Sequence, residues 1–231
     1  RDVKLDDITS CEDNAEILQR LHDQSWDTSL IRLRSTDDDI ADDDYFVVSE
    51  GDDLGWLGYF IGKSKYLQDL CIDSWGEGEN IEALIEGINR NRSINSLYIG
   101  TDIGGMNFRN LTPFFRSNNN ITRLYLSNFE VGLECAQSIA HALGESSCQS
   151  LKHVTIEDSN LSDGGFAVIA TALRAYPQLR DLHLENNNIG LTGCTALADT
   201  LRGWGASNLK TLAFSSNEID DQGLQALAAG M

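Results

Sequence analysis

The sequence predicts an α/β solenoid, with short parallel strands stacked on one face and helices on the other. Three observations predict it. A motif of alternating apolar residues recurs at a nearly constant interval, each copy is followed by an apolar stripe at helical spacing, and no copy could bury its apolar face without a neighbour on each side. The best-formed copy spans residues 179–201. There Leu182 and Leu184 stand two apart and share one strand face, leaving Asp181, His183 and Glu185 on the other. Asn187 stands where the chain leaves the strand, and an amide side chain there can satisfy backbone groups that no ladder reaches. Leu197, Ala198 and Leu201 then recur at helical spacing.

Taken in order, residues 1–29 read as a worn first unit. Val3 and Leu5 form its strand, and Ala15, Ile17, Leu18 and Leu21 form a helical stripe with Asp13 or Asn14 as cap. Residues 30–34 are strand-like, and an acidic excursion over residues 36–53 follows before Leu54, Leu57, Phe60 and Ile61 resume a helical stripe. Leu30 and Leu67 are 37 residues apart, against 27 to 30 elsewhere, which implies an insertion of about eight to ten residues. Within it, Tyr45–Val48 is expected to form an extra short strand or a turn.

From Leu67 the register is regular. Copies begin at Leu67, Ile94, Ile121, Leu151, Leu179 and Leu209, with spacings of 27, 27, 30, 28 and 30. The expected inward pairs are Leu70/Ile72, Leu97/Ile99, Leu124/Leu126, Val154/Ile156, Leu182/Leu184 and Leu212/Phe214. The helical stripes run from Leu84/Ile85/Ile88 to Leu224/Leu227/Ala228. Residues 1–231 are thus expected to form a single domain, with six regular repeats over 67–231 that continue beyond it. The asparagine position is met only at Asn187 and Asn217. Trp75, Asp102, Phe129 and Ser159 take its place elsewhere, with Asn128 and Asn160 one place off, so looser corners are expected in the first half.

These residues resemble the ribonuclease-inhibitor-like class of leucine-rich repeats, seen also in immune-receptor sensor domains and Ran GTPase-activating proteins. The resemblance implies a curved horseshoe segment with parallel strands on the concave face and helices on the convex face. Packing points the same way, because strands pack about 4.8 Å apart and helices about 8 to 10 Å.

The charge balance narrows the function. Against 17 Lys and Arg stand 36 Asp and Glu, a formal net charge of -19. Phosphate contacts rely on Lys and Arg, so no nucleic acid and no anionic membrane partner is expected. A basic protein would be steered toward such a surface. Five scattered cysteines without a C-x-x-C pair give neither a disulfide framework nor a zinc knuckle, and an intracellular, cytoplasmic setting follows.

Period-2 alternation puts a mixed polar row on the concave face. Tyr98, Arg123 and Tyr125 are the anchor candidates, because Tyr and Arg are enriched among interface hot spots. His153, Glu157, Asp181, His183 and Glu185 gather acid and imidazole beside them. His153, Asp181, His183 and Glu185 are of metal-ligand types, but such groups usually decorate a solvated sheet, and no metal or cofactor is expected. The Gly58–Gly62–Lys63–Ser64 run imitates a phosphate loop with one residue too few between its glycines. It falls inside the expected helix and is set aside. No nucleophile–base constellation is recognisable, and a non-enzymatic protein-interaction module is expected, binding through the concave face or the acidic insertion. The resemblance adds one alternative, an enzyme regulator (GTPase-activating or nuclease-inhibitor-like), and a further reading is a structural subunit of a larger complex.

Overall fold

The structure, a computed structural model, describes residues 8–9, 11–35, 45–49, 52–75, 79–102, 107–128, 131–145, 149–204 and 208–230. The chain forms two compact units that divide after Met106. Of the sequence expectations, the Val3/Leu5 strand, Phe129 and the acid run at 36–44 lie outside the described residues.

In the first unit, helix α1 (Glu12–His22) precedes strands β1 (Leu30–Ser35) and β2 (Tyr45–Val48). Helix α2 (Leu54–Lys63), β3 (Asp69–Ser74), α3 (Ile81–Arg90) and β4 (Ser96–Asp102) complete it. All its strands are parallel, in the order β2-β1-β3-β4. The extra strand therefore forms, but on the far side of β1 from β3, with Arg32 opposite Tyr45. Arg34 lies over the Tyr45 ring, 4.6 Å from its centroid.

The outer edge of β2 would leave backbone groups open, and Asn14 meets them. Its amide donates to the Val47 carbonyl at 2.8 Å and accepts from the Val47 N–H at 2.9 Å. That use displaces the expected capping role: α1 begins after Cys11 with no side-chain cap, and Asn14 sits buried within the helix. One amide carries both a donor and an acceptor, so it substitutes for a missing strand partner.

Helices α2 and α3 meet backbone to backbone. A Cβ on Gly58 would lie 2.6 Å from Leu84 Cα, and one on Gly87 would lie 2.6 Å from Gly58 Cα. The phosphate-loop mimic is thus a helical segment, and its first glycine serves close packing. Leu54, Leu57, Phe60 and Ile61 are all buried as their spacing predicts, each worth roughly 1.5–3 kcal/mol relative to exposure.

The second unit opens with a 3-10 turn (Phe108–Leu111) and short α4 (Thr112–Ser117). Strands β5 (Arg123–Ser127), β6 (His153–Glu157), β7 (Asp181–His183) and β8 (Thr211–Ala213) then alternate with helices. These are α5 (Leu133–Gly144), α6 (Asp163–Ala172), α7 (Leu191–Trp204) and α8 (Asp221–Ala228). The strands pair in parallel in chain order. From β3 on, every strand starts two residues after the apolar residue that marks its repeat, so the spacings read from the sequence are those of the fold.

The inward pairs from Leu70/Ile72 through Leu182/Leu184 are buried. Leu212 and Phe214 are only half-buried, and Leu224 and Ala228 are exposed rather than packed. Among the described residues no strand pairs beyond β8, so these apolar groups lack the neighbour that covers their equivalents.

Corner chemistry explains the scattered asparagines. Asn187 donates to the Leu184 and Glu185 carbonyls at 3.1 and 2.9 Å and also to Ile156 in the preceding repeat, while accepting from the Ser159 N–H at 3.2 Å. Asn217 repeats the pattern, accepting from the N–H groups of Asn187 and Ile189 and donating to the Leu184 and Phe214 carbonyls. The neighbouring positions Asn128, Asp158, Asn186 and Ser216 all take positive φ, between 50° and 58°. Asn160 and Asn188 do the same at 44° and 54°. Short polar side chains tolerate that left-handed backbone best after glycine, so the asparagines one place off serve the turn rather than the ladder.

Candidate functional site

The sheet face opposite the helices carries the candidate residues. In the second unit, register places Arg123, His153, Asp181 and Thr211 in one row across the four strands. Tyr125, Thr155, His183 and Ala213 form the next row, and Ser127 and Glu157 begin a third. Glu185 lies two residues beyond His183, just past the end of β7. Arg123 is exposed, and Tyr125, His153, Glu157, Asp181, His183 and Glu185 are half-buried. Tyr98, also half-buried, is placed on β4 of the first unit. Ser96 and Ser127, which fall on this same face by strand alternation, are buried. Their side chains are too short to emerge between the longer side chains of a strand face.

Two charge clusters form on β6 and β7. His153 Nδ1 pairs with Asp181 Oδ2 at 2.6 Å. Asp181 is held below the usual carboxylate range, chiefly by a hydrogen bond from the Thr211 side chain; burial opposes this and the charge of His153 adds to it. Thr211 was not singled out in the sequence, yet its position opposite Asp181 in the next strand was readable from the repeat spacing.

The second cluster is His183 between two glutamates. Its Nδ1 is 3.9 Å from Glu157 Oε1 and 3.7 Å from Glu185 Oε1. Burial, and then the adjacent Glu185 carboxylate, push the Glu157 carboxyl above its ordinary range. The Glu185 Oε2 atom is buried and has no hydrogen-bond partner. The sequence put His183 and Glu185 with His153 and Asp181; the structure separates them into two clusters and gives His183 to the glutamates.

A second concave feature lies on the helical side of the first unit. Gly55, Gly58, Gly62, Tyr59, Lys63, Ala83, Glu86, Gly87 and Arg90 line a groove of about 300 Å³ between α2 and α3. Lys63 donates to Tyr59 Oη at 2.5 Å, and Arg90 pairs with Glu86. The glycines one turn apart were the signal for such a close helix contact, and they were visible in the sequence.

Cys11, Cys71 and Cys135 are half-buried free thiols and Cys194 is a buried one. Burial raises the Cys71, Cys135 and Cys194 thiols above their ordinary range. They are suited to packing rather than to nucleophilic attack. Among the described residues no helix is long and apolar enough to cross a membrane.

Comparison with known sequences agrees with this architecture over part of the chain. A family model described as "Leucine Rich repeat" matches residues 177–198 and 205–228, the region of β7 to α8. Ribonuclease inhibitor of Sus scrofa is 26% identical over an alignment covering 50% of this chain and 31% of the relative, so the chain spans about a third of that protein's length. An internalin (inlF) of Listeria monocytogenes superposes with a TM-score of 0.41 at 18% identity, over 80% of this chain and 52% of that one. The repeat register, the parallel strands with intervening helices and the family-model match over β7 to α8 mark leucine-rich repeats there, and the chain resembles ribonuclease inhibitor in sequence.

Proposed function

We propose that this leucine-rich-repeat chain is a non-catalytic protein-binding module whose partner docks on the sheet face opposite the helices. Leucine-rich-repeat proteins generally mediate protein–protein interaction, and solenoids commonly use their extended strand surface for it. The observation that carries the reading is the face of β5 to β8. Parallel register sets Arg123, Tyr125, His153, Glu157, Asp181, His183 and Glu185 on one rigid sheet, all at least partly open to solvent. Rigid strands present these groups with little ordering cost on binding. Tyr125 and Arg123 act as anchors on this face, and Tyr98 is a separate anchor candidate on the first unit. The acidic groups, with the overall charge of -19, select a basic partner and speed its encounter. The chain acts inside the cell.

The experiment is capture of partners from cell extract by the wild type, by the Tyr98→Ala/Tyr125→Ala pair, and by Glu134→Ala on α5 as a control. A specific partner is lost with the tyrosine pair and retained with the control, and its association rate falls as salt rises. Equal capture by all three proteins would sink the assignment of this face.

The likeness to ribonuclease inhibitor favours one narrower reading, in which the basic partner is a nuclease that the acidic face blocks. A purified ribonuclease whose activity is unchanged by excess chain would remove it.

A further inference from the structure

We propose that Glu157, His183 and Glu185 form a binding site for a divalent transition-metal ion of the Zn²⁺ class. One ligand atom from each of the three lies within 4.8 Å of the other two. Around a tetrahedral Zn²⁺ with bonds of about 2.0–2.2 Å, neighbouring ligand atoms stand roughly 3.3–3.5 Å apart. The His183 Nδ1 distances of 3.7 and 3.9 Å to the two carboxylates exceed this by only a few tenths of an ångström, within the reach of small side-chain rotations.

The site is built as well as compact. Thr155 and His183 are register partners on adjacent strands, so Glu157 and Glu185 each follow by two residues on the same face. The backbone carbonyl of Glu185 is held by two donors: it accepts from the Asn187 side chain at 2.9 Å and from the Asp158 N–H at 3.2 Å. Two carboxylates converge here on one imidazole, and neither has a Lys or Arg ion-pair partner among the described residues. Glu185 Oε2 is shielded from solvent without a donor. An unsatisfied buried acceptor of this kind is costly, and a cation would supply what it lacks. The repulsion between the glutamates, which adds to burial in pushing the Glu157 carboxyl up, would turn into shared coordination.

The ligand set decides the ion. Carboxylates alone suit Mg²⁺ or Ca²⁺, whereas an imidazole selects Zn²⁺, Cu²⁺, Fe²⁺ or Ni²⁺. Three protein ligands leave a fourth tetrahedral position for water. The neighbouring His153 is engaged with Asp181 at 2.6 Å and is not a ligand.

The test is isothermal titration of the full chain, stripped with chelator, with ZnCl₂, together with Co²⁺ absorption spectra. The wild type is expected to bind one equivalent, with visible Co²⁺ bands of low coordination number. His183→Ala and the near-isosteric pair Glu157→Gln/Glu185→Gln should each weaken binding by about ten-fold or more, the scale expected when a metal's protein environment is disturbed. His153→Ala should bind like the wild type. Because Gln preserves size, the glutamine pair reports on coordination even where the alanine variant is poorly folded, and circular dichroism checks both. No saturable heat with the wild type, unchanged binding in the glutamine pair, or equal loss in His153→Ala would each overturn the assignment.

Discussion

The turns around β3 and β4 and those around β6 and β7 solve one backbone problem with different residues at opposite ends of the repeat. Leaving β7, the chain turns on Asn187, whose buried amide reaches carbonyls in two repeats. Leaving β3, the equivalent place is held by buried Trp75, which has no such amide to offer. The asparagine lies instead at the other corner, where α3 returns to β4. Asn91 is fully buried, donates to the Ile61 and Ser64 carbonyls at 2.7 and 3.1 Å, and accepts from the N–H groups of Ser93 and Ile94 at 2.8 Å each. Asn118 takes the same place one repeat later, accepting from the Asn120 N–H at 2.8 Å. Entering β7, that corner is held by buried Tyr176, whose hydroxyl donates to the Leu143 carbonyl at 2.9 Å. A repeat needs its corners satisfied, and which residue does so, at which end, can drift along the array.

The comparison can be broken or sharpened by substitution. The largest effect is expected in the earlier repeats, at the backbone contact of α2 with α3. Gly58→Ala should cost about 3 kcal/mol, at the upper end for overpacking a tight interior, because the clash is with backbone that cannot rotate away. An unchanged urea midpoint would show that the helices do not meet this closely.

Next come the two amides. Asn187→Ala and Asn91→Ala should each cost about 2–3 kcal/mol, since each leaves buried groups without partners. If the corners are equivalent, the two losses agree within about 1 kcal/mol; a much smaller loss for Asn91→Ala would show that the helix-exit corner is held by other contacts. Asn217→Ala should cost less, about 1 kcal/mol, because its position is only partly buried and water can replace the amide.

The smallest expected effect is confined to the later repeats and to acid. Asp163 accepts from the N–H groups of Gly190 and Thr192, each at 3.0 Å, and from that of Gly193, at the start of α7. Burial opposes its ionisation, but these hydrogen bonds outweigh it and hold the carboxyl below its ordinary range. A folded pKa below the unfolded value of about 3.9 means that the stabilisation is fully present above that pH. It is lost as pH falls through the folded value. Asp163→Asn should therefore lower stability by about 1 kcal/mol at pH 7, with the gap from wild type closing below about pH 4. A gap independent of pH would assign the effect to shape rather than to charge.

Much of the architecture was legible because its cause is periodic. A strand face repeats every two residues and a helix face about every 3.6, so Leu182/Leu184 and Leu197/Leu201 declare their elements directly. The second asparagine series, Asn91 and Asn118, shares the 27-residue period of the strands, but with only two members it does not declare itself as a corner. On the candidate face, the spacing correctly put His153 opposite Asp181 and located both glutamates. It could not say that His183 turns toward Glu157 and Glu185, since a side chain's direction depends on charges from another repeat.

The sequence by itself therefore determined the strand register, the alternation of faces, the buried inward pairs and the residue types offered to solvent, all of which follow from local geometry and apolar burial. Only the tertiary structure decided three matters. The strand at Tyr45–Val48 lies outside β1 and is closed by Asn14. Gly58 and Gly87 let two helices touch. The acids and histidines of β6 and β7 divide into one ion pair and one three-residue cluster. Each depends on at least one contact between distant residues, 26 to 33 positions apart for Glu157–His183, His153–Asp181, Gly58–Gly87 and Asn14–Val47, which meet only once the repeats have stacked.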